Sequence, residues 1–216
     1  MKGLLITLEG GEGSGKSTQI QLLARWLKEE GHEVVCTREP GGTPLAEEIR
    51  DLLMVPRAET VAPLAELLLY QAARAQHVRD VIRPALQRGA LVLCDRFVDS
   101  TSAYQGAGRT LPEEAVMELN RLATDGIWPD LTLILDLPEQ EGLQRARNRG
   151  SDDRMMEETL SFHRNIRSAF QRLAQEEPDR ITMVDGCLSP EEVLEALKER
   201  ISALLQEHSL SQERSS

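Results

Sequence analysis

A glycine-rich segment constrains this chain more than any other feature of its sequence. Residues 10–17 read GGEGSGKS and fit the pattern G-x-x-x-x-G-K-[ST], after an apolar run at 4–8 and before a run with helical spacing at 17–30. In that context, backbone N–H groups and the helix N-terminus converge on phosphate oxygens. The segment predicts a nucleoside triphosphate site, with Lys16 at the transferred phosphate and Ser17 on Mg²⁺. The alternative is a turn that needs glycine for its backbone alone.

Short apolar runs alternate with longer amphipathic runs along the 216 residues. Continuous apolar strands separated by helices predict an α/β protein with a five-stranded parallel sheet. The predicted strands are 4–8, 33–37, 90–94, 131–137 and 181–184. The predicted helices are 17–30, 43–54, 60–88, 112–124, 139–147, 155–176 and 190–205. We expect Pro84 to break or kink the third helix near its end.

The length of the chain and the absence of repeats or linkers predict one domain, residues 1–207. A polar, glycine-containing stretch at about 142–156 is predicted to be a mobile insert, and residues 208–216 a flexible tail.

The charge balance excludes several classes of partner. The formal net charge is −11, which argues against a nucleic acid or an anionic membrane as partner. Only four of the 25 basic residues are lysine, and the planar guanidinium of arginine suits phosphate and carboxylate groups. We therefore expect a local anion site rather than a basic surface.

Cysteine spacing and hydropathy limit the class of protein further. Three widely spaced cysteines include no C-x-x-C pair, so neither a disulfide framework nor a zinc site is indicated. No 18-residue apolar stretch and no signal-peptide pattern occur, so we expect a cytoplasmic protein without a membrane span.

Two arginines follow predicted strands. Asp95 and Arg96 end the third strand, and Arg38 follows the second within TREPGGT, residues 37–43. Because the carboxyl ends of parallel strands open onto one crevice, both arginines are expected to face Lys16. A carboxylate there suits Mg²⁺ and two arginines suit a phosphorylated acceptor, although a solvated ion pair and a simple turn are alternatives. The N-K-x-D motif of GTPase switches is absent.

The insert contains four arginines, Arg145, Arg147, Arg149 and Arg154. A lid that closes over a triphosphate and brings arginines to its γ-phosphate has this composition. A solvated helix end with salt bridges is the alternative.

Six segments occur in order and at suitable spacing: LEGGEGSGKST (8–18), TREPGGT (37–43), AAR (72–74), DRF (95–97), STSAYQG (100–106) and the arginine-rich insert. Together they resemble the bacterial thymidylate kinase family. The resemblance runs from residue 3 to about 206, and the second and fifth segments are far more specific than the phosphate loop.

The resemblance implies transfer of the γ-phosphoryl group of ATP to dTMP with Mg²⁺, giving ADP and dTDP. It implies a three-layer P-loop nucleoside monophosphate kinase fold, usually a homodimer, and metal ligation at Ser17 and Asp95. It places ATP on Gly10, Gly11, Glu12, Gly13, Ser14, Gly15, Lys16, Ser17, Thr18 and Arg147.

The same resemblance assigns the acceptor residues. Arg38 and Arg96 hold the acceptor phosphate, Tyr70 stacks on thymine and Arg74 hydrogen-bonds the base. The base pocket is lined by Ser100, Thr101 and Gln105, Tyr104 lies near the sugar, Glu12 holds the 3′-hydroxyl or positions Mg²⁺, and Glu39 and Arg50 are weaker candidates.

The family divides by the position of an extra arginine, which lies either in the phosphate loop or in the lid. Gly13 occupies the loop position here, so the chain resembles the lid group. The resemblance therefore adds two lid arginines, Arg149 and Arg154, which are expected to touch the transferring phosphate. The expected catalytic residues are Lys16, Arg96, Glu12, Arg149 and Arg154.

The base pocket also suggests a reason for selectivity. Arg74 can donate to thymine O4, whereas cytosine presents an amino group there, and two facing donors are unfavourable. The alternatives are a kinase for another nucleoside monophosphate, a P-loop nucleotide-binding module without turnover, and a DNA-repair ATPase, which the net charge opposes.

Overall fold

The computed structural model describes residues 3–56, 58–148, 150 and 154–213. Residues 211–213 are described by their backbone only. Five parallel strands form one sheet in the order β2-β3-β1-β4-β5, which confirms the predicted fold class. The strands are β1 (Leu4–Glu9), β2 (Val34–Arg38), β3 (Leu91–Asp95), β4 (Leu131–Asp136) and β5 (Ile181–Asp185).

Helices cover both faces of the sheet. The α-helices are α1 (Lys16–Glu29), α2 (Pro44–Met54), α3 (Pro63–His77), α4 (Arg83–Gln87), α5 (Val98–Thr101), α6 (Glu113–Thr124), α7 (Glu139–Asn148), α8 (Leu160–Glu176) and α9 (Pro190–Glu213). Two π-helical segments follow α3 and α5, at Val78–Ile82 and Ser102–Gly108.

The alternation of side chains along β1 builds the two cores. Leu4, Ile6 and Leu8 face one side, where they pack with α1 and α9, and Leu5 faces the other, where it packs with α4. All four side chains are buried because helices cover the sheet on both faces. Three layers result, as expected from the continuous apolar strands.

The register of the sheet places the functional segments along one edge. The strand ends Arg38 and Asp95 are paired across β2 and β3, and Asp95 also lies opposite Leu8 of β1. The phosphate loop therefore leaves the middle of the sheet between the ends of β3 and β4, where a parallel sheet opens its ligand crevice.

The predicted helix at 60–88 is one helical run with an internal π turn. Arg83 N–H donates to Val78 O, five residues back, immediately before Pro84. Proline has no N–H and would clash with the carbonyl four residues earlier in a regular helix, so the wider turn accommodates it. Pro84 thus lies in the first turn of α4 rather than ending the run.

The helix predicted at 60–88 begins at Pro63, and the larger differences from the sequence prediction lie elsewhere. The turn after β3 continues into α5 and a π segment, and α8 begins at Leu160, capped by Thr159, rather than at 155. The last helix runs past 205 to Glu213, so residues 208–213 of the predicted tail are helical. No glycine or proline interrupts it there, and the Ser209 hydroxyl donates to Leu205 O, a bond that serine makes inside helices.

In the described part of the chain, no helix combines the length and the hydropathy that a bilayer crossing needs.

Candidate active site

The phosphate loop has the geometry that its glycines predict. Gly10, Gly13 and Gly15 have φ of 133°, 67° and 96°, values that favour glycine. Lys16 Nζ donates to Gly10 O at 3.1 Å and to Gly11 O at 2.9 Å, so the side chain lies over the loop. Burial and the nearby Arg96 lower the pKa of Lys16 to about 8, although neighbouring carboxylates oppose the shift. A phosphate beside Nζ would favour the charged form of the lysine.

The loop is packed directly against the start of α7. A Cβ on Gly13 would lie 2.1 Å from Gly142 O, and a Cβ on Gly142 would lie 2.3 Å from Glu12 O. Both are backbone contacts that no side-chain rotation relieves. With α7 in this position, position 13 has no room for an arginine, in agreement with the resemblance to the lid group.

Ser17 and Asp95 come together at the ends of α1 and β3. Ser17 Oγ donates to Asp95 Oδ2 at 2.9 Å. Hydroxyl and carboxylate oxygens are ligands that suit Mg²⁺. Within the described ranges, no group of three or more His, Cys, Asp and Glu side chains could hold a metal. Mg²⁺ at this position fits as an ion shared with phosphate and water oxygens.

Arg96 is held rigidly beside the loop. Its φ of 68° is unusual for a residue with a side chain. Nη1 donates to Gly10 O at 3.0 Å, Nη2 donates to Glu12 Oε1 at 2.8 Å, and the guanidinium lies over the Tyr104 ring at 4.8 Å. Tyr104 OH also donates to Glu12, at 2.8 Å. Burial would raise the pKa of Glu12, but the positive charges of Arg96 and Lys16 outweigh it, so the pKa of Glu12 is lowered.

Arg38 and Arg50 lie across the cleft from the loop. Arg38 Nη2 pairs with Glu47 at 2.7 Å and is half-exposed, and Arg50 Nη1 donates to Pro40 O at 3.0 Å. Both line the same cleft of about 320 Å³ as Lys16. The expected convergence of Arg38 and Arg96 on the phosphate loop is therefore present, with Arg38 bound to a carboxylate of α2.

A second cavity adjoins this cleft. Nine of the ten predicted acceptor residues line it, and Arg38 lines the cleft instead. The nine are Glu39, Arg50, Tyr70, Arg74, Arg96, Ser100, Thr101, Tyr104 and Gln105. Burial raises the pKa of the Tyr70 phenol, so it remains a neutral hydroxyl at the cavity wall.

Arg74 is the most completely bound cation of this cavity. Nε donates to Glu39 Oε2 at 2.7 Å, Nη1 to Asn120 at 2.6 Å and to Gln71 at 3.3 Å, and Nη2 to Phe97 O at 2.9 Å. Burial would raise the pKa of Glu39, but the Arg74 charge outweighs it, so the pKa of Glu39 is lowered. These contacts use four of the five N–H donors of Arg74.

The predicted lid arginines lie in different places. Arg147 is exposed on α7, and Arg149 lies outside the described residues. Arg154 is not among the residues that line the phosphate cleft: Nη2 pairs with Glu66 at 2.6 Å and Nε donates to Leu53 O at 2.9 Å. A fully buried carboxylate is a strong partner for a guanidinium, which explains this position.

Comparison with known proteins decides the family. The family model described as thymidylate kinase matches residues 8–197. The chain belongs to the thymidylate kinase family. It is 53% identical to the thymidylate kinase of Pseudomonas putida strain GB-1 over 95% of this chain and 96% of that one. It is 52% identical to that of Thermomicrobium roseum, over 89% and 91%.

A crystal structure of thymidylate kinase from Ehrlichia chaffeensis superposes with a TM-score of 0.75 at 34% identity, covering 93% of this chain and 99% of that one. The family, the fold class and the enzyme class predicted from the sequence are confirmed. As a member of the thymidylate kinase family, the chain is a kinase of nucleotide biosynthesis that binds ATP.

Several site residues were not predicted from the sequence. Glu9, buried at the end of β1, accepts hydrogen bonds from Phe97 N–H at 2.7 Å and from the Ser100 backbone and hydroxyl. Burial and the charge of Asp99 raise the pKa of Glu9 to about 7. Glu9 thus fixes the segment that carries Arg96. A carboxylate that ends an apolar strand beside a phosphate loop was a usable signal.

Glu66 on α3 is a second unpredicted carboxylate, with no exposed surface. It accepts from Gln105 Nε2 at 2.8 Å, from Arg109 Nε and Nη2 at 3.1 Å and from Arg154. The carboxylate of Glu66 therefore binds both Gln105 of the second cavity and Arg154 of the predicted lid. The signal in the sequence was a glutamate among leucines on the apolar side of a helix.

Proposed function

We propose that the chain transfers the γ-phosphoryl group of ATP to dTMP and releases ADP and dTDP. One observation carries the proposal: the cavity lined by the fixed guanidinium of Arg74 shares four wall residues with the phosphate-loop cleft, namely Glu12, Glu39, Arg50 and Arg96. A site for a phosphorylated acceptor beside a triphosphate site is what a nucleoside monophosphate kinase needs, and a nucleotide-binding module does not need it.

On the donor side, the backbone N–H groups of residues 10–18 and the N-terminus of α1 bind the phosphates of ATP. Lys16 leaves the loop carbonyls and neutralises the transferring group. Ser17 and Asp95 would hold Mg²⁺, directly or through water, and the bound ion would supply charge neutralisation to the triphosphate. Glu12 keeps Arg96 beside these phosphates.

On the acceptor side, Arg38 and Arg96 hold the dTMP phosphate in line with the γ-phosphorus. An anionic oxygen of dTMP forms the new P–O bond while the bond to the β-phosphate oxygen breaks, and ADP leaves with that electron pair. No general base is required, because the attacking oxygen carries no proton that must be removed. The protein contributes position and charge stabilisation.

The base and the sugar occupy the adjoining cavity. Tyr70 stacks on thymine, Arg74 donates to thymine O4, and Tyr104 with Glu12 faces the sugar. The remaining walls are Ser100, Thr101, Gln105, Glu39 and Arg50. This arrangement favours a pyrimidine with a carbonyl at position 4.

We further propose that the chain acts as one domain in which 142–156 closes over ATP. Arg147 and Arg149 are then close to the triphosphate. Arg154 reaches the γ-phosphate only if it leaves Glu66, so its catalytic role depends on that exchange. Closure keeps water from accepting the phosphoryl group.

A homodimer is the proposed assembly. Leu45 and Val55 on and after α2 and Leu64 and Leu68 on α3 are about half exposed, and together they give these two adjacent helices an apolar face. Sedimentation equilibrium tests this assembly, and a monomer at micromolar concentration argues against it. We also propose a cytoplasmic protein, and the net charge of −11 supports a chain that binds neither nucleic acid nor anionic membranes.

The deciding assay measures ADP release with ATP, Mg²⁺ and one monophosphate at a time: dTMP, dUMP, dCMP, CMP, UMP, AMP or GMP. We expect release that depends on dTMP and a loss of at least about tenfold in kcat/KM for Arg74→Ala. Arg88→Ala is the matched control, because Arg88 forms a surface pair with Glu33 at the opposite edge of the sheet. Preference for another monophosphate, or release without any acceptor, would overturn the proposal.

A further inference from the structure

Asn120 of α6 is a buried amide with no exposed surface and lies outside the acceptor cavity. Its Oδ1 accepts from Arg74 Nη1 at 2.6 Å and from Gln71 Nε2 at 2.7 Å, while its Nδ2 donates to Val98 O at 3.3 Å. The partners define the orientation of the amide, since a flipped group would turn two N–H donors toward Arg74 and Gln71. Asn120 is therefore an acceptor for the arginine.

Three separate parts of the fold hold the Arg74 guanidinium. Glu39 follows β2, Phe97 follows β3 and Asn120 belongs to α6. The guanidinium also lies over the Phe97 ring, at 5.1 Å. Because the Glu39 bond fixes Nε and the Asn120 bond fixes Nη1, the guanidinium plane cannot rotate without breaking one of the two.

This restraint matters for the chemistry of base selection. One N–H of Nη2 remains for the acceptor base after the other donors of Arg74 are used. A fixed N–H donor favours the binding of a base that presents a carbonyl over one that presents an amino group. Two N–H donors that face each other in a buried site both lose hydrogen bonds. A freely moving arginine would avoid that penalty by rotating.

We propose that Asn120 is a positioning residue that sets selectivity for the acceptor base by fixing Arg74. The inference rests on the proposed function, because it takes the base to lie against Arg74. Asn120 itself touches neither the base nor a phosphate. It acts through the orientation of the guanidinium.

The test compares Asn120→Leu, which is similar in size and removes both acceptor contacts, with Asn120→Asp, which retains an oxygen acceptor. Steady-state kinetics are measured with dTMP and with dCMP. For Asn120→Leu we expect the KM for dTMP to rise about tenfold and the preference for dTMP over dCMP to fall about fivefold, with the KM for ATP within about twofold. Asn120→Asp is expected to keep the preference within about twofold of the original chain.

The matched control is Val116→Ala, a buried position on the same helix four residues earlier whose side chain has no polar atom and so forms no hydrogen bond with Arg74 or Gln71. We expect it to lower stability without changing the preference for dTMP over dCMP. If Asn120→Leu does not fold, Asn120→Ser replaces it, because the serine side chain is too short to reach Nη1.

Two results separate the proposals. If the unaltered chain does not prefer dTMP, the proposed function fails, and this inference fails with it. If the unaltered chain prefers dTMP but Asn120→Leu keeps the same ratio of dTMP to dCMP, or loses the two activities equally as Val116→Ala would, Asn120 is only a structural residue and the inference alone is overturned.

Discussion

Replacing Glu9 by glutamine tests how the phosphate loop and Arg96 are connected. Glu9 Oε1 accepts from the Phe97 and Ser100 backbone N–H groups, which a glutamine oxygen can also do, and Oε2 accepts from the Ser100 hydroxyl. The substitution keeps the shape and removes the charge. Its effect on stability is therefore dominated by the cost of holding that charge in a buried site.

The magnitude follows from the raised pKa. The pKa of Glu9 is about 7 in the folded chain and 4.5 in the reference state. A group whose pKa is raised by folding does not lower the free energy of unfolding at a pH where it is protonated in both the folded and the unfolded chain. The free energy of unfolding then falls as the pH rises from about 4.5 through 7. The full difference is on the order of 3 kcal/mol, of which about 2 kcal/mol develops between about pH 5.5 and 8.5.

Urea denaturation at these two pH values measures the free energy of unfolding of Glu9→Gln and of the original chain. The unfolding free energy of Glu9→Gln minus that of the original chain should rise by about 2 kcal/mol toward the higher pH. Glu66→Gln is the matched control, because the pKa of buried Glu66 is lowered and it pairs with Arg109, Arg154 and Gln105, so its ionisation is essentially complete in both states over this range and its difference should stay constant. A constant difference for Glu9→Gln as well would refute the reasoning.

Three further substitutions give measurable results. Lys16→Met keeps the buried stem but not the charge, and we expect kcat in the ADP-release assay to fall at least about 100-fold; a smaller loss would remove Lys16 from the transferring phosphate. Gly142→Ala places a Cβ 2.3 Å from Glu12 O, so α7 must move away from the loop, and the KM for ATP should rise about tenfold; an unchanged KM would show that this contact does not support ATP binding. Glu66→Gln should lower the unfolding free energy by about 3 kcal/mol in urea, against at most about 1 kcal/mol for Glu113→Gln in an exposed pair; equal effects would contradict the role assigned to the buried carboxylate.

The sequence predicted the sheet because its strands are buried on both faces. The continuous apolar runs at β1 and β4 are typical of parallel strands that are covered on both faces. The phosphate loop that follows β1 indicates that the carboxyl end of β1 lies at the ligand site. Helix boundaries were less predictable. The rule that proline ends a helix is local, whereas the π turn before Pro84 depends on the whole run from α3 to α4 packing on the sheet.

Only part of the site was predictable from topology. Arg38 and Arg96 follow β2 and β3, and parallel strands end at one edge, so these two residues had to be neighbours although they are far apart in sequence. Tyr70 and Arg74 lie inside α3, and they were assigned from the family resemblance. Glu66 and Asn120 lie inside amphipathic helices. The leucines around Glu66 hinted that it is buried, but its partners, like those of Asn120, depend on elements that are distant in the sequence.

The cleft also shows how an acidic chain can bind two polyanions. Four cationic side chains and three carboxylates line it, against a net charge of −11 for the whole chain: Lys16, Arg38, Arg50 and Arg96 face Glu12, Glu39 and Asp95. Arg96 is bound to Glu12 and Arg38 to Glu47, so the cations are positioned before a ligand arrives. Phosphates that enter must compete with these carboxylates, which weakens the binding of single anions. A donor and an acceptor bound together can engage all four cations at once, and this favours the ternary complex in which transfer occurs.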